Sequence, residues 1–191
     1  MSSPICFVTS SGRKLEEFRS CVGDETIIHR AIDLPEYQGT PEFVAREKAL
    51  TASRIYNGPV LVDDTSLCFN AYGGLPGVYV KHFLQAVGAV GLYHMLDAYE
   101  DKTGYAQAVI AFCDVNSEKY REPVLFIGRC EGRIVEPRGS MDLCWDSIFE
   151  PFEGGGKTFG EMALAEKNRI SHRGRALAKT SAFLAQLRTN Q

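Results

Sequence analysis

The chain lacks the features that define several classes of protein. Its 191 residues contain no apolar run of about 18, the length of a membrane-crossing helix, and no apolar secretion signal at the start. Its six cysteines form no C-x-x-C pair and no zinc-like spacing. Basic residues are not in excess, with 21 Lys and Arg against 24 Asp and Glu. We therefore expect a cytoplasmic protein with reduced thiols that binds neither a membrane nor nucleic acid.

The composition is that of an ordinary globular protein. The hydrophobic fraction is 45%, and the length fits a single domain, which we expect to span residues 1–191. Predicted elements follow the order β-α-β-α-β-α-β-β-α, so the fold class is α/β with an antiparallel section. Strands are predicted at 5–9, 27–32, 60–62, 105–115 and 123–135, and helices at 13–22, 41–56, 79–99 and from 172.

Two adjacent carboxylates, Asp63 and Asp64, follow the predicted strand at 60–62 and precede a glycine- and proline-rich stretch. Ligands usually bind at the C-terminal ends of strands in α/β sheets. Mg²⁺ needs carboxylate oxygens and usually binds together with substrate phosphates. Neighbours on an extended chain point to opposite sides, so at most one of the two should face a substrate. The alternative is a solvated turn in which Asp64 or Thr65 caps the next element.

A polar loop joins the first predicted strand to the first predicted helix. It reads Thr9, Ser10, Ser11, Gly12, Arg13, Lys14. Successive backbone N–H groups and the positive end of the helix dipole favour a phosphate there. Lys14 adds a full positive charge. The alternative is an ordinary helix start with surface bases.

A second cationic segment surrounds Ser171, the predicted N-cap of the last helix. Lys167 and Arg169 precede it, and His172 and Arg173 would occupy the first turn. Exposed cations in a first turn oppose the helix dipole and cost about 0.3–1 kcal/mol each. We interpret the segment as an anion site, with a solvated basic turn as the alternative.

Two further motifs contain aromatic or glycine residues. Trp145, the only tryptophan, stands beside Asp146, which suits recognition of a heterocycle, although a core tryptophan beside a turn is the alternative. The segment 154–158 imitates the end of a P-loop. That pattern needs glycine at position 151, where Pro151 stands, so we interpret the segment as a flexible loop around Lys157.

In this order and spacing, the motifs resemble the inosine triphosphate pyrophosphatase family, also called the Ham1 family, and most of all its eukaryotic cytosolic members. The matching segments are 9–14, 33–39, 62–65, 73–77, 145–146, 158–162 and 167–173. The resemblance implies an elongated central mixed β-sheet flanked by helices, with two lobes around an active-site cleft, in a homodimer. It also implies hydrolysis of ITP, dITP and XTP to monophosphate and pyrophosphate, dependent on Mg²⁺ or, alternatively, Mn²⁺.

The resemblance also implies roles for individual residues. Asp64 and Lys14 would be catalytic, and Glu36 and Asp64 would hold the metal with support from Asp63. The phosphates would contact Thr9, Ser10, Ser11, Gly12, Arg13, Lys14, Lys48, Asp64, Thr65 and Lys81. The base would contact Leu143, Cys144, Trp145, Asp146, Lys167, His172 and Arg173. The family pattern has Asn at Ser11, an aromatic at Leu143, Gly at Cys144 and Pro at Ser147, so the chain departs from it at these positions.

Water would attack the α-phosphorus and expel pyrophosphate, with Asp64 either positioning the water or only binding metal. Arg173 would donate to O6 of the purine and Asp146 would accept from N1–H, which adenine cannot match. Two alternatives remain: a pyrophosphatase for other modified nucleotides, including pyrimidines, and a nucleotide-binding module without hydrolysis. Three carboxylates, at 36, 63 and 64, argue against pure binding of an anion, which needs fewer acids.

Overall fold

The computed structural model describes residues 3–189, without the side chains of 141–143. The strands are β1 Cys6–Val8, β2 Ile28–Arg30, β3 Val60–Phe69, β4 Pro76–Gly77, β5 Thr103–Cys113, β6 Val124–Ile134 and β7 Phe149–Pro151. They form one seven-stranded sheet in the order β2-β1-β3-β5-β6-β7, with β4 paired to β3. The pairs of β1 with β2 and β3 are parallel, whereas β3–β4 and β6–β7 are antiparallel. The predicted mixed α/β sheet is confirmed.

The helices are α1 Gly12–Val22, α2 Pro41–Tyr56, α3 Val80–His94, α4 Leu164–Ile170 and α5 His172–Thr189. Helix α2 begins as predicted, because Thr40 Oγ1 accepts from the Phe43 N–H at 3.2 Å and proline takes the first helical position. Helix α3 is interrupted at Gly88, whose φ of 68° is left-handed. Within residues 3–189, no helix is both long and apolar enough to cross a membrane.

The chain divides into two compact units. The first comprises Met1–Asp64, Ala108–Gly128 and Arg173–Gln191. Its apolar side chains form two clusters, and successive strand residues alternate between them: Val8 joins the residues of α2, whereas Phe7 joins those of α1 and α5. Side chains along a strand alternate between the faces of a sheet. Helix α2 therefore covers one face of this part of the sheet, and α1 and α5 cover the other.

The second unit comprises Thr65–Gln107 and Arg129–His172. One apolar cluster forms its core, with large side chains from β3, α3, β7 and the 3₁₀-helical segment Met141–Ile148. Arg138 donates to Glu150 at 2.6 Å and to the Gly156 carbonyl at 3.0 Å. The glycine-rich segment is thereby joined to β7. Thr158 and Glu161 form a capping box at the start of the 3₁₀ segment Phe159–Glu161.

Among the predicted strands, the C-terminal end of β3 differs most from the prediction. Asp63 and Asp64 were expected at the C-terminal end of a strand, but β3 continues to Phe69 and both lie inside it. The strand continues because Leu67 and Phe69 are fully buried in the core of the second unit. Asp63 and Asp64 are themselves buried, so the alternative of a solvated turn is wrong.

Strands β3 and β5 approach each other closely at Gly104, which lies in β5. A Cβ there would lie 2.4 Å from the backbone oxygen of Cys68 in β3. We expect Gly104→Ala to lower the free energy of unfolding by about 1–3 kcal/mol, the usual cost of overpacking, in urea denaturation followed by circular dichroism. Gly12→Ala is the matched control, since nothing lies within 4 Å of its added Cβ. An equal loss in both variants would contradict the predicted clash.

Candidate active site

The predicted phosphate loop leads directly into α1. Thr9 Oγ1 accepts from the Ser11 N–H at 3.1 Å, and Ser11 Oγ accepts from the Lys14 N–H at 3.4 Å. Ser11 is therefore the N-cap of the helix, while Ser10 and Gly12 are exposed. The loop brings backbone N–H groups to the positive end of the helix dipole, an arrangement that attracts phosphate.

Asp63 is the centre of a buried group of charges in the first unit. Its Oδ1 lies 3.0 Å from Lys14 Nζ and its Oδ2 lies 2.7 Å from Arg173 Nε. Arg173 Nη1 also donates to Glu17 Oε2 at 2.5 Å. Burial alone would raise the pKa of Asp63, but Arg173 and Lys14 outweigh it and hold that pKa well below its usual range. Asp63 is therefore ionised at neutral pH.

The start of α5 has counter-charges that the sequence did not predict. Arg173 stands in the first turn, as expected, and we interpreted this unfavourable placement as the sign of a bound anion. The carboxylates of Asp63 and Glu17 supply the negative charge instead. Burial lowers the pKa of Arg173, yet these two acids raise it overall above its ordinary value. The dipole argument therefore does not require a ligand here.

Glu17 is the residue that the sequence analysis missed. Its side chain is 1% exposed and ion-paired with Arg173. It lies on α1 three residues after Lys14, so both side chains belong to the same helical face. An acid one turn after the basic loop is the available signal, but its partner Arg173 lies 156 positions away in the sequence.

Asp64 has different partners from Asp63, as expected for neighbours on a strand. Lys48 Nζ lies 2.8 Å from Asp64 Oδ1 and 3.0 Å from Glu36 Oε2. Burial would lower the pKa of Lys48, but Asp64 and Glu36 outweigh it, so that pKa is raised overall. The other oxygen, Asp64 Oδ2, is buried and accepts no hydrogen bond from any described residue.

The carboxylates fit a magnesium ion that takes some of its ligands from the protein and the others from water and a substrate. In the described part of the chain, no three or more His, Cys, Asp or Glu side chains form a metal cluster. Mg²⁺ usually takes only one or two carboxylates together with waters and substrate phosphates. Glu36 and Asp64 supply such a pair, and the unpartnered Oδ2 of Asp64 is a ligand atom of suitable chemistry.

Of the residues predicted to contact the base, those from Leu143 to His172 belong to the second unit, whereas Arg173 belongs to the first. Lys167 Nζ donates to Asp146 Oδ2 at 2.6 Å, and both side chains are 6% exposed. The Trp145 ring lies 5.4 Å from that of His172. Cys144 is exposed and has a φ of 57°, a conformation that favours glycine, which the family pattern has at this position. The predicted contact of Leu143 concerns a side chain outside the described part.

The remaining predicted residues lie in the second unit or near the loop. Thr65 is half-buried in β3, Lys81 is exposed in the first turn of α3, and Arg13 is half-buried in α1. Their roles stay predictions. Lys157 pairs with Glu166 at 2.9 Å, and a 3₁₀ segment rather than a long helix follows it. The strand–loop–helix context of a P-loop is therefore absent from this described segment.

Comparison with solved structures identifies the fold. A HAM1 protein from Coxiella burnetii gives a TM-score of 0.83 at 28% identity, over 95% of this chain and 98% of that one. A nucleoside-triphosphatase / dITP/XTP pyrophosphatase from Mycobacterium abscessus gives 0.71 at 25% identity, over 92% and 97%. The Staphylococcus aureus Ham1 protein has the same fold, with a TM-score of 0.76 at 22% identity over 95% and 98%.

Sequence comparison covers nearly the whole chain. A relative from Giardia intestinalis (strain ATCC 50803 / WB clone C6), called inosine triphosphate pyrophosphatase, is 64% identical over 181 residues. These residues are 95% of this chain and 92% of the relative. The family model described as the Ham1 family matches residues 5–183. With its fold, its sequence and its paired acidic and basic clusters in agreement, the chain belongs to the Ham1 family.

Proposed function

We propose that this protein hydrolyses non-standard purine nucleoside triphosphates, namely ITP, dITP and XTP, to the monophosphate and pyrophosphate. The observation that carries the proposal is the division of Asp63 and Asp64 between two sets of cations, because it combines lysines for phosphate with an unpartnered carboxylate oxygen for metal. The name of the Giardia relative and the family membership support the same activity.

The phosphate-binding residues belong to the first unit. Lys14 is fixed by Asp63 at the mouth of the capped loop, with its side chain 22% exposed. Lys48 provides a second ammonium, 17% exposed. Both can stabilise negative charge that develops on phosphate oxygens during the reaction. Backbone N–H groups at the helix start add neutral donors.

Water attacks the α-phosphorus, and the bond from that phosphorus to the bridging oxygen breaks as pyrophosphate leaves. Asp64 orients the water and accepts its proton, a role supported by a carboxylate of which Lys48 holds only Oδ1. When bound by Glu36 and Asp64, Mg²⁺ would supply Lewis-acid polarisation of phosphate oxygens. Asp63 does not act on the water, because Lys14 and Arg173 hold both its oxygens.

Selectivity comes from hydrogen bonds to the six-position of the purine. Hypoxanthine and xanthine present an O6 acceptor and an N1–H donor, whereas adenine reverses both. Asp146, held by Lys167, accepts from N1–H. The resemblance to the family assigns the donor to O6 to Arg173. A mismatched base leaves buried polar groups unpaired, which can discriminate by about 10⁴–10⁵. Trp145 provides an apolar surface for the ring.

The proposal extends to assembly and location. The resemblance to the family implies a homodimer that acts in the cytoplasm. Light scattering coupled to size-exclusion chromatography tests the dimer, because a monomeric mass would contradict it. Microscopy of a tagged protein in the source cell tests the location.

The direct test is pyrophosphate release from a panel of triphosphates with and without Mg²⁺. We expect turnover of ITP, dITP and XTP, little turnover of ATP, and loss of activity after chelation. Preferential turnover of modified pyrimidines would favour the alternative substrate class. Binding of ITP without pyrophosphate release would favour a binding module and contradict the proposal.

Asp64→Asn tests the reacting carboxylate. The change keeps the shape of the side chain and removes the negative charge, so ITP turnover should fall by at least about 10² with the fold intact. Lys157→Ala is the control, since Lys157 pairs only with Glu166 among the contacts described for it. We expect that variant to stay within about threefold of the parent. Normal turnover of Asp64→Asn at saturating Mg²⁺ would exclude the assigned role.

Arg173→Ala and Lys14→Ala together separate base recognition from phosphate recognition. Loss of a charge-assisted hydrogen bond to O6 should lower kcat/KM for ITP by about 10- to 150-fold and for ATP far less. Lys14→Ala should lower both by a similar factor, because phosphates carry no information about the base. If Arg173→Ala lowers both substrates equally, Arg173 serves Asp63 and Glu17 instead of the base.

A further inference from the structure

One ammonium group joins the two carboxylates that we propose as metal ligands. Lys48 Nζ contacts Glu36 Oε2 at 3.0 Å and Asp64 Oδ1 at 2.8 Å. Glu36 belongs to the segment between β2 and α2, Lys48 to α2 and Asp64 to β3. A cation is therefore already present where two acids from separate elements converge.

We propose that the Lys48 ammonium is a placeholder cation, which partly neutralises Glu36 and Asp64 until the metal–triphosphate complex arrives and then moves to the phosphates. The inference rests on the proposed function, because it takes a metal–triphosphate complex as the ligand. It adds that metal and lysine compete for the same carboxylates, so the nucleotide-free protein binds metal weakly.

The chemistry of Lys48 suits a contact that must break. Its ammonium is a compact charge on a flexible four-carbon stem, and its side chain is 17% exposed. Arg173 is the opposite case, since its planar fork binds Asp63 and Glu17 and its side chain is 6% exposed. Asp63 thus has a buried arginine as a partner in addition to Lys14, whereas Asp64 is paired with a flexible lysine.

The placeholder satisfies Asp64 incompletely. The ammonium contacts Oδ1, whereas Oδ2 is buried without a hydrogen-bond partner among the described residues. A buried acceptor that receives no hydrogen bond costs free energy, so the carboxylate is stabilised when a more highly charged cation replaces the ammonium. A divalent ion carries twice the charge of the ammonium, and phosphate oxygens offer Lys48 a new anion when it leaves.

Removal of the ammonium should therefore strengthen metal binding in the absence of nucleotide. We expect Lys48→Met to bind Mn²⁺ at least about tenfold more tightly than the parent, because the ion no longer competes with the ammonium for the carboxylates. The attraction between two opposite charges in contact corresponds to more than a factor of ten in affinity, even at an effective dielectric of about 20. Titration of nucleotide-free protein, followed by the electron paramagnetic resonance signal of free Mn²⁺, measures the dissociation constant. Lys48→Gln is a second neutral variant in case methionine does not fold.

Two further proteins make the measurement specific. Lys157→Met removes a lysine that pairs with Glu166 elsewhere, and its Mn²⁺ affinity should equal that of the parent. The double variant Lys48→Met with Asp64→Asn should lose the gain, which locates the bound ion at Asp64. Mn²⁺ should also raise the melting temperature of Lys48→Met more than that of the parent.

Mn²⁺ affinity of both Lys48 variants that is equal to or weaker than the parent's would overturn the inference, as would a gain that survives Asp64→Asn. The ITP assay of the parent separates the two proposals. If the parent hydrolyses ITP and the variants show no gain, only the placeholder role fails. If the variants gain affinity but the parent releases no pyrophosphate, the placeholder role stands and the proposed function fails.

Discussion

Asp63 connects three segments that are far apart in the sequence. Its carboxylate binds Lys14 at the start of α1 and Arg173 at the start of α5, and Arg173 in turn binds Glu17. These four side chains carry two positive and two negative charges and sum to zero. Breaking a buried ion pair by removing one partner typically costs about 3–5 kcal/mol, because a charge is left uncompensated. The position of the phosphate loop relative to β3 and α5 therefore depends on this carboxylate.

Side chains along β3 alternate between the two faces of the sheet, so the neighbouring acids Asp63 and Asp64 have different partners. The same alternation sends Leu61 to one apolar cluster and Val60 and Val62 to the other, so the strand is fixed in register by burial on both faces. A shift of one residue would exchange the faces of Asp63 and Asp64 and would bury the wrong apolar side chains. The core of the first unit thus fixes which acid meets Arg173 and which meets Lys48.

Local signals in the sequence predicted most elements and clusters. Thr40 followed by proline set the start of α2, and pairing of Lys167 with Asp146 agrees with their assignment to one cluster. The length of β3 could not be predicted from the apolar run at 60–62, because tertiary burial of Leu67 and Phe69 extends it. Glu17 was missed for a related reason, since only the fold brings Arg173 to it across 156 positions of sequence.

Asp63 and Asp64 also differ in how completely nearby cations compensate their negative charge. Both oxygens of Asp63 are held by cations, and one of these cations, Arg173, is itself buried. Asp64 shares one lysine with Glu36, so these three side chains carry one net negative charge, and one oxygen of Asp64 has no partner within the described residues. A carboxylate with both oxygens bound by cations can only hold its neighbours in position, whereas one with an unbound oxygen can accept a further ligand. This difference supports the proposal that Asp64 takes part in the chemistry, whereas Asp63 holds the surrounding residues in place.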